Sequence, residues 1–195
     1  MSININKQNK KNIIVVGILI GIGLGAIIFA GIGLYQSGSI SLFNESDQSQ
    51  NLSAIPAIGK PAPDFALTNL QGETVRLSEM YGIPVAINFW ATWCSPCVFE
   101  LPIFQEHYQK NGDRFEILAV NNQETQQIVE PFVDEMGLTF DILLDLDADV
   151  AFIYQVVGFP TTYFIDSEGI IRVKHIGVMN EDQLRGYLKQ VGISE

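Results

Sequence analysis

The nearly continuous apolar run Pro84–Trp90 (PVAINFW) constrains the fold more than any other stretch. A strand without polar alternation is buried on both faces, so it must lie inside a sheet that is covered above and below. Ser95 to about Gln109 reads as a helix that starts just after this strand. The chain's only two cysteines, Cys94 and Cys97, therefore fall at a strand-to-helix junction.

Downstream, Arg114–Val120 (RFEILAV) reads as a second strand. Thr125–Met136 reads as a helix with Ile128, Phe132 and Met136 on one face, stopped by Gly137. Phe140–Leu144 forms a short strand and Val150–Tyr154 a short helix. Thr162–Ile165 and Ile170–Val173 make an antiparallel pair across the turn Asp166–Gly169. The last helix starts at the cap Asn180, and its Leu184, Tyr187, Leu188 and Val191 form one apolar stripe. This order predicts an α/β domain with a mixed central sheet flanked by helices.

The 195-residue chain is long enough for one sizeable core and too short for two. Ahead of that core, Ile13–Tyr35 carries no charge over 23 residues. As a helix it would extend about 35 Å, enough to cross a hydrocarbon layer of about 30 Å. Lys7, Lys10 and Lys11 precede it with no acid among residues 1–12, which predicts a cytoplasmic N-terminus and a signal anchor whose C-terminal side lies outside. A cleaved signal peptide fits less well, because its apolar region is normally about 7–15 residues and the nearest cleavage pattern, Ile28-Phe29-Ala30, is bulky. Residues 36–59 are rich in Ser, Gln and Asn and read as a flexible tether reaching about 25–30 Å. Residues 60–195 hold 20 acidic and 8 basic side chains, which argues against nucleic acid or anionic lipid as a partner surface.

Four ligands are needed for a zinc site, and only one cysteine pair is present, with His107 and His175 isolated, so no metal is expected. The acidic run Asp145-Leu146-Asp147-Ala148-Asp149 lacks a calcium loop's glycine and closing glutamate, Val150 and Val156 standing in their places; helix capping accounts for it better. A purely structural Cys94–Cys97 disulfide would restrain little of the unfolded chain. Thiol chemistry explains more. At a helix N-terminus, free N–H groups and the helix dipole favour a Cys94 thiolate, which makes Cys94 the attacking thiol. Pro96 suits a first helical turn, and one turn brings Cys97 back to the same face as the resolving thiol. Glu100, three residues on, is a candidate proton acceptor for Cys97 or an ordinary solvated helix residue.

The stretch Phe89-Trp90-Ala91-Thr92-Trp93-Cys94-Ser95-Pro96-Cys97, with Pro102 and Gly158-Phe159-Pro160-Thr161-Thr162, resembles the thioredoxin fold. Together with Pro61-Ala62-Pro63-Asp64-Phe65, Glu100 and the strand Thr161–Asp166, it is similar to the membrane-anchored TlpA/ResA-type thiol-disulfide oxidoreductases over about residues 60–192. That resemblance implies a central helix–strand insertion at Thr125–Leu144 and a cis-Pro160 facing the cysteines. It also implies a substrate surface of Trp93, Pro96, Phe159 and Pro160, with the Phe159 backbone pairing an extended peptide. By the same resemblance, Pro102 would kink the active-site helix, no cofactor is needed, and the partners are protein thiols or disulfides, among them apocytochrome c, with a membrane electron donor of the CcdA/DsbD type.

Asn88 stands where cytoplasmic thioredoxins carry a buried aspartate, so any proton-accepting role there is empty or passes to Glu100. Two alternatives stay open. A tethered, non-catalytic peptide-binding module would use the same groove without turnover. A peroxiredoxin-like antioxidant protein would share the lead-in Pro61–Phe65, although it needs a threonine or serine where Ala91 stands, three residues before Cys94.

Overall fold

The computed structural model describes residues 55–112 and 114–193; the expected membrane span at 13–35 and most of the tether lie outside the described residues. Seven described strands form one sheet: β1 (Ala66–Asn69), β2 (Thr74–Arg76), β3 (Val85–Trp90), β4 (Glu116–Asn122), β5 (Asp141–Asp145), β6 (Thr161–Ile165) and β7 (Ile171–Ile176). Among the described residues four α-helices accompany them: α1 (Ser95–Asn111), α2 (Gln126–Met136), α3 (Asp149–Ile153) and α4 (Glu181–Gln190). The spatial strand order is β2-β1-β5-β4-β3-β6-β7.

All six residues of β3 are buried, as an apolar run without alternation requires. It pairs in parallel with β4 and antiparallel with β6, and β4 pairs in parallel with β5. The sheet is therefore mixed. Because successive strand residues point to opposite faces, Ala86 and Trp90 join Leu101 and Phe104 of α1, Val129 of α2 and Leu184 of α4. Val85, Ile87 and Phe89 join Phe65, Leu77, Val150 and Tyr154 on the other face. Each large apolar side chain buried in these layers contributes about 1.5–3 kcal/mol.

The helices follow their sequence signals. Asn180 forms a capping box with Gln183 at the head of α4, whose Leu184 and Leu188 are buried. Asp145 accepts from the backbone N–H groups of Val150 and Ala151 and so caps α3, the role expected for that acidic run. The helix α1 continues through Pro102 to Asn111. One expectation fails in α2: Val129 and Val133 are its buried residues, with Phe132 and Met136 packed beside them, and Ile128 is 54 % exposed. The apolar stripe of α2 therefore runs through Val129, Phe132, Val133 and Met136 and leaves Ile128 at its edge.

A short hairpin, β1 and β2, and a 3-10 turn at Leu77–Met80 precede β3. Asp64 accepts from the Ser78 N–H and hydroxyl, and the Tyr154 hydroxyl donates to the Pro63 carbonyl at 2.7 Å. The Pro61–Phe65 stretch is thereby fixed to the lower layer of the domain. Further back, the Gly59 N–H donates to Ile171 at 2.8 Å, and Pro61 bridges Ile170.

Candidate active site

β3 ends at Trp90 and α1 begins at Ser95, so four residues carry the chain from the sheet into the helix. Cys94 is the N-cap of α1, and its sulfur accepts from the Cys97 N–H at 3.3 Å. Pro96 lies in the first turn, where its missing N–H costs nothing. Cys94 and Cys97 are joined as a disulfide with Cα atoms 5.3 Å apart. Cys94 is 5 % exposed and Cys97 1 %, so the first sulfur is the more accessible one. Opening the bond would leave the Cys94 sulfur at the positive end of a helix with the Cys97 N–H donating to it, surroundings that stabilise a thiolate.

Glu100, one turn after Cys97, is 1 % exposed. Its Oε1 accepts from Asn88 Nδ2 at 2.9 Å and its Oε2 from the Met179 N–H at 2.7 Å. Burial outweighs these two hydrogen bonds and pushes its pKa up to about 7. It is no solvated helix residue. Asn88 Nδ2 also donates to Thr162 Oγ1 at 2.9 Å, across the β3–β6 pair that places Asn88 opposite Thr162. The Asn88 Oδ1 is buried with no hydrogen-bond partner among the described residues.

The peptide bond Phe159–Pro160 is cis, as expected, and Pro160 is buried. The Gly177 N–H donates to the Pro160 carbonyl at 2.9 Å. Two residues later, Met179 holds Glu100, so the loop Gly177–Met179 ties the cis-proline to the carboxylate. Trp93 is 66 % exposed and meets Phe159 edge-on, with ring centroids 5.9 Å apart. The structure thus brings Trp93, Phe159 and Pro160 together at the head of α1, with Pro96 exposed beside them.

His107 and His175 take no part in this arrangement. His107 is buried within α1, and His175 Nδ1 lies 3.1 Å from the Tyr187 hydroxyl. One site residue carried no sequence signal: Glu124, in the loop after β4, is 8 % exposed and accepts from the Thr92 N–H and hydroxyl, 32 positions away.

Residues 58–174 match the AhpC/TSA family model. The thiol-disulfide oxidoreductase ResA of Bacillus thuringiensis (strain Al Hakam) is 34 % identical over 183 residues, covering 93 % of this chain and 98 % of that protein. This chain belongs to the ResA-type thiol-disulfide oxidoreductases. ResA of Geobacillus kaustophilus is 41 % identical over 138 residues, which cover 69 % of this chain and 78 % of its own. Among solved structures, a putative thiol:disulfide interchange protein DsbE from Chlorobium tepidum superposes with a TM-score of 0.65 at 31 % identity, covering 70 % of this chain and 99 % of that one. The ResA-type family has the thioredoxin-like fold found here and exchanges disulfides with protein thiols. Within that fold, α2 and β5 occupy the position expected for the helix–strand insertion.

Proposed function

We propose that Cys94 and Cys97 reduce protein disulfides on the outer side of the cytoplasmic membrane, with the domain carried by an anchor at residues 13–35. A Cys94 thiolate attacks one sulfur of the substrate disulfide, forming a mixed disulfide and releasing one substrate thiolate. Cys97 loses its proton and attacks the Cys94 sulfur, which releases the second substrate thiolate and closes the Cys94–Cys97 bond. Two electrons pass to the substrate, and the proton from each cysteine ends on a substrate thiolate. A dithiol donor in the membrane, of the CcdA/DsbD type, restores the reduced pair. Apocytochrome c, with paired haem-attachment cysteines, is the substrate favoured by family resemblance.

The observation that carries this reading is the placement of Glu100 one turn after Cys97, buried and with its pKa pushed up to about 7. Such a group can take a proton from Cys97 and return it near neutral pH. The Asn88 amide supports the transfer. Turned over, its oxygen would accept from a protonated Glu100 and from the Thr162 hydroxyl, so the network keeps its bonds in either state. Burial of both sulfurs and the carboxylate one turn after Cys97 act against the helix N-terminus, which favours the thiolate; where they outweigh it, the pair is a reductant and not an oxidant. Trp93, Phe159 and Pro160 form the surface for an extended peptide.

Equilibration of the protein with dithiothreitol or glutathione buffers tests the direction. A strongly reducing potential supports the reductase reading. A potential near that of disulfide-forming enzymes overturns it. A peptide-binding module without turnover would show no cycling of Cys94–Cys97 at all.

A further inference from the structure

We propose that Glu124 is a positioning residue for the dithiol: it holds the Thr92–Trp93 turn, and with it Cys94 at the head of α1, through two hydrogen bonds from Thr92, while a third from Asn121 of β4 fixes the carboxylate itself. Only four residues lie between β3 and α1, and the turn they make has a single internal backbone bond, from the Cys94 N–H to the Ala91 carbonyl at 3.1 Å. The Thr92 N–H needs a partner from elsewhere. Glu124 Oε2 accepts from it at 2.7 Å and from Asn121 Nδ2 at 2.8 Å, and Oε1 accepts from the Thr92 hydroxyl at 2.5 Å. A carboxylate has about four lone-pair sites and can accept from all three neutral donors at once. Bonds to an ionised acceptor are roughly twice as strong as neutral ones.

The backbone behind Glu124 independently points the same way. Gln123, a non-glycine residue, stands at φ 60° with its N–H on the Asp145 carbonyl at 3.0 Å. That conformation costs about 1–3 kcal/mol and persists only where the surroundings over-determine it. It turns the chain so that Glu124 leads back across the sheet end to Thr92 instead of outward at the start of α2. Trp93 and Cys94 follow Thr92 directly. Loss of the anchor therefore moves the attacking sulfur relative to the N–H groups of α1 and to Phe159.

This inference rests on the thiol-exchange reading, and the test separates the two. Full-length protein in detergent, reduced with dithiothreitol, is compared as wild type, Glu124→Ala, Glu124→Gln and Thr92→Val. The readouts are the pH profile of Cys94 alkylation by iodoacetamide and turnover on insulin disulfides. Glu124→Ala should raise the apparent pKa of Cys94 and lower turnover about tenfold or more, since misplacement by about 1 Å can cost about 100-fold. Glu124→Gln should rescue most of both, because its oxygen can accept from Thr92 N–H and Asn121 while its amide donates to the Thr92 hydroxyl. Thr92→Val, which keeps the N–H bond, should give a smaller change in the same direction. An unchanged profile and turnover in folded Glu124→Ala overturn the proposal, as does a Gln variant as impaired as the Ala variant. If Glu124→Ala does not fold, an unchanged Thr92→Val overturns it. Wild-type protein without reversible thiol reactivity would overturn the proposed function instead.

Discussion

The Met179 N–H donates to Glu100 Oε2 at 2.7 Å, so the loop before the last helix rests on a carboxylate one turn beyond the dithiol. The carboxylate is buried, and its pKa near 7 is a property of the folded state. Unfolding returns it to the ordinary value of 4.5. A raised folded pKa means that the full stability is present below pH 4.5 and is lost as pH rises through 7. The loss is on the order of 3 kcal/mol. Glu100→Gln should flatten this part of the stability profile, read by denaturant unfolding of the oxidised protein between pH 4 and 8. A slope equal to wild type would show that Glu100 ionises in the fold as it does in water.

The same substitution bears on the chemistry. Without a carboxylate, Cys97 loses its proton acceptor, whereas repulsion of a neighbouring thiolate also disappears. Glu100→Gln should therefore retain a reversible disulfide and form mixed disulfides readily, but resolve them about 10-fold or more slowly. Stopped-flow measurement of the two steps across pH separates these effects. Wild-type profiles for both would leave water as the proton acceptor.

The two sulfurs differ in position and should differ in behaviour. Cys94 caps the helix and Cys97 is enclosed beneath it. Cys97→Ala should accumulate covalent substrate complexes that dithiothreitol releases, whereas Cys94→Ala should trap none. Non-reducing gels decide this, and trapping on Cys97 alone would reverse the roles.

Much of this site was legible in the sequence because its signals are local. A proline two residues after Cys94 marks the helix start, Asn180 stands at an N-cap, and Asp145, three residues before the N-cap Ala148, accepts from the first-turn N–H groups of α3. The hairpin β1–β2 was not legible. Ala66–Asn69 and Thr74–Arg76 each bury a single residue, too few to show a period. Its turn did leave a trace: Asn69 Oδ1 accepts from the Gln71 and Glu73 N–H groups, with Gly72 at φ 80° between them. Glu124 left none, because its Thr92 donors belong to a loop 32 positions away, brought near only by the β3–β4 pairing. The face of α2 was misjudged because Ile128 and Val129 are both apolar, and packing chose between them.

Trp93 meets Phe159 edge-on beside the cis-proline, a contact worth about 0.5–1.5 kcal/mol beyond the area it buries. If this pair forms the substrate surface, Trp93→Ala should raise KM for a protein disulfide several-fold. The rate of Cys94 alkylation by iodoacetamide should stay close to wild type. Equal losses in both assays would assign Trp93 to the fold of the loop and not to the substrate.

The proposed topology also has a direct test. Protease added to intact spheroplasts should remove the catalytic domain, and protection of that domain would place it in the cytoplasm.

The chain joins the sheet where Gly59 and Pro61 meet Ile171 and Ile170, at the turn end of the β6–β7 hairpin. The dithiol follows the opposite end of β3, six residues away along a strand that rises about 3.3 Å per residue. Point of attachment and point of reaction therefore sit at opposite poles. Were the chain held before Gly59, as the proposed anchor at 13–35 requires, the hold would act on the sulfurs across about 20 Å, and any rotation about that point would carry the reactive end through an arc. A partner fixed beside the attachment point gains little effective concentration at the dithiol, whereas one that projects a similar distance from the same surface meets it repeatedly.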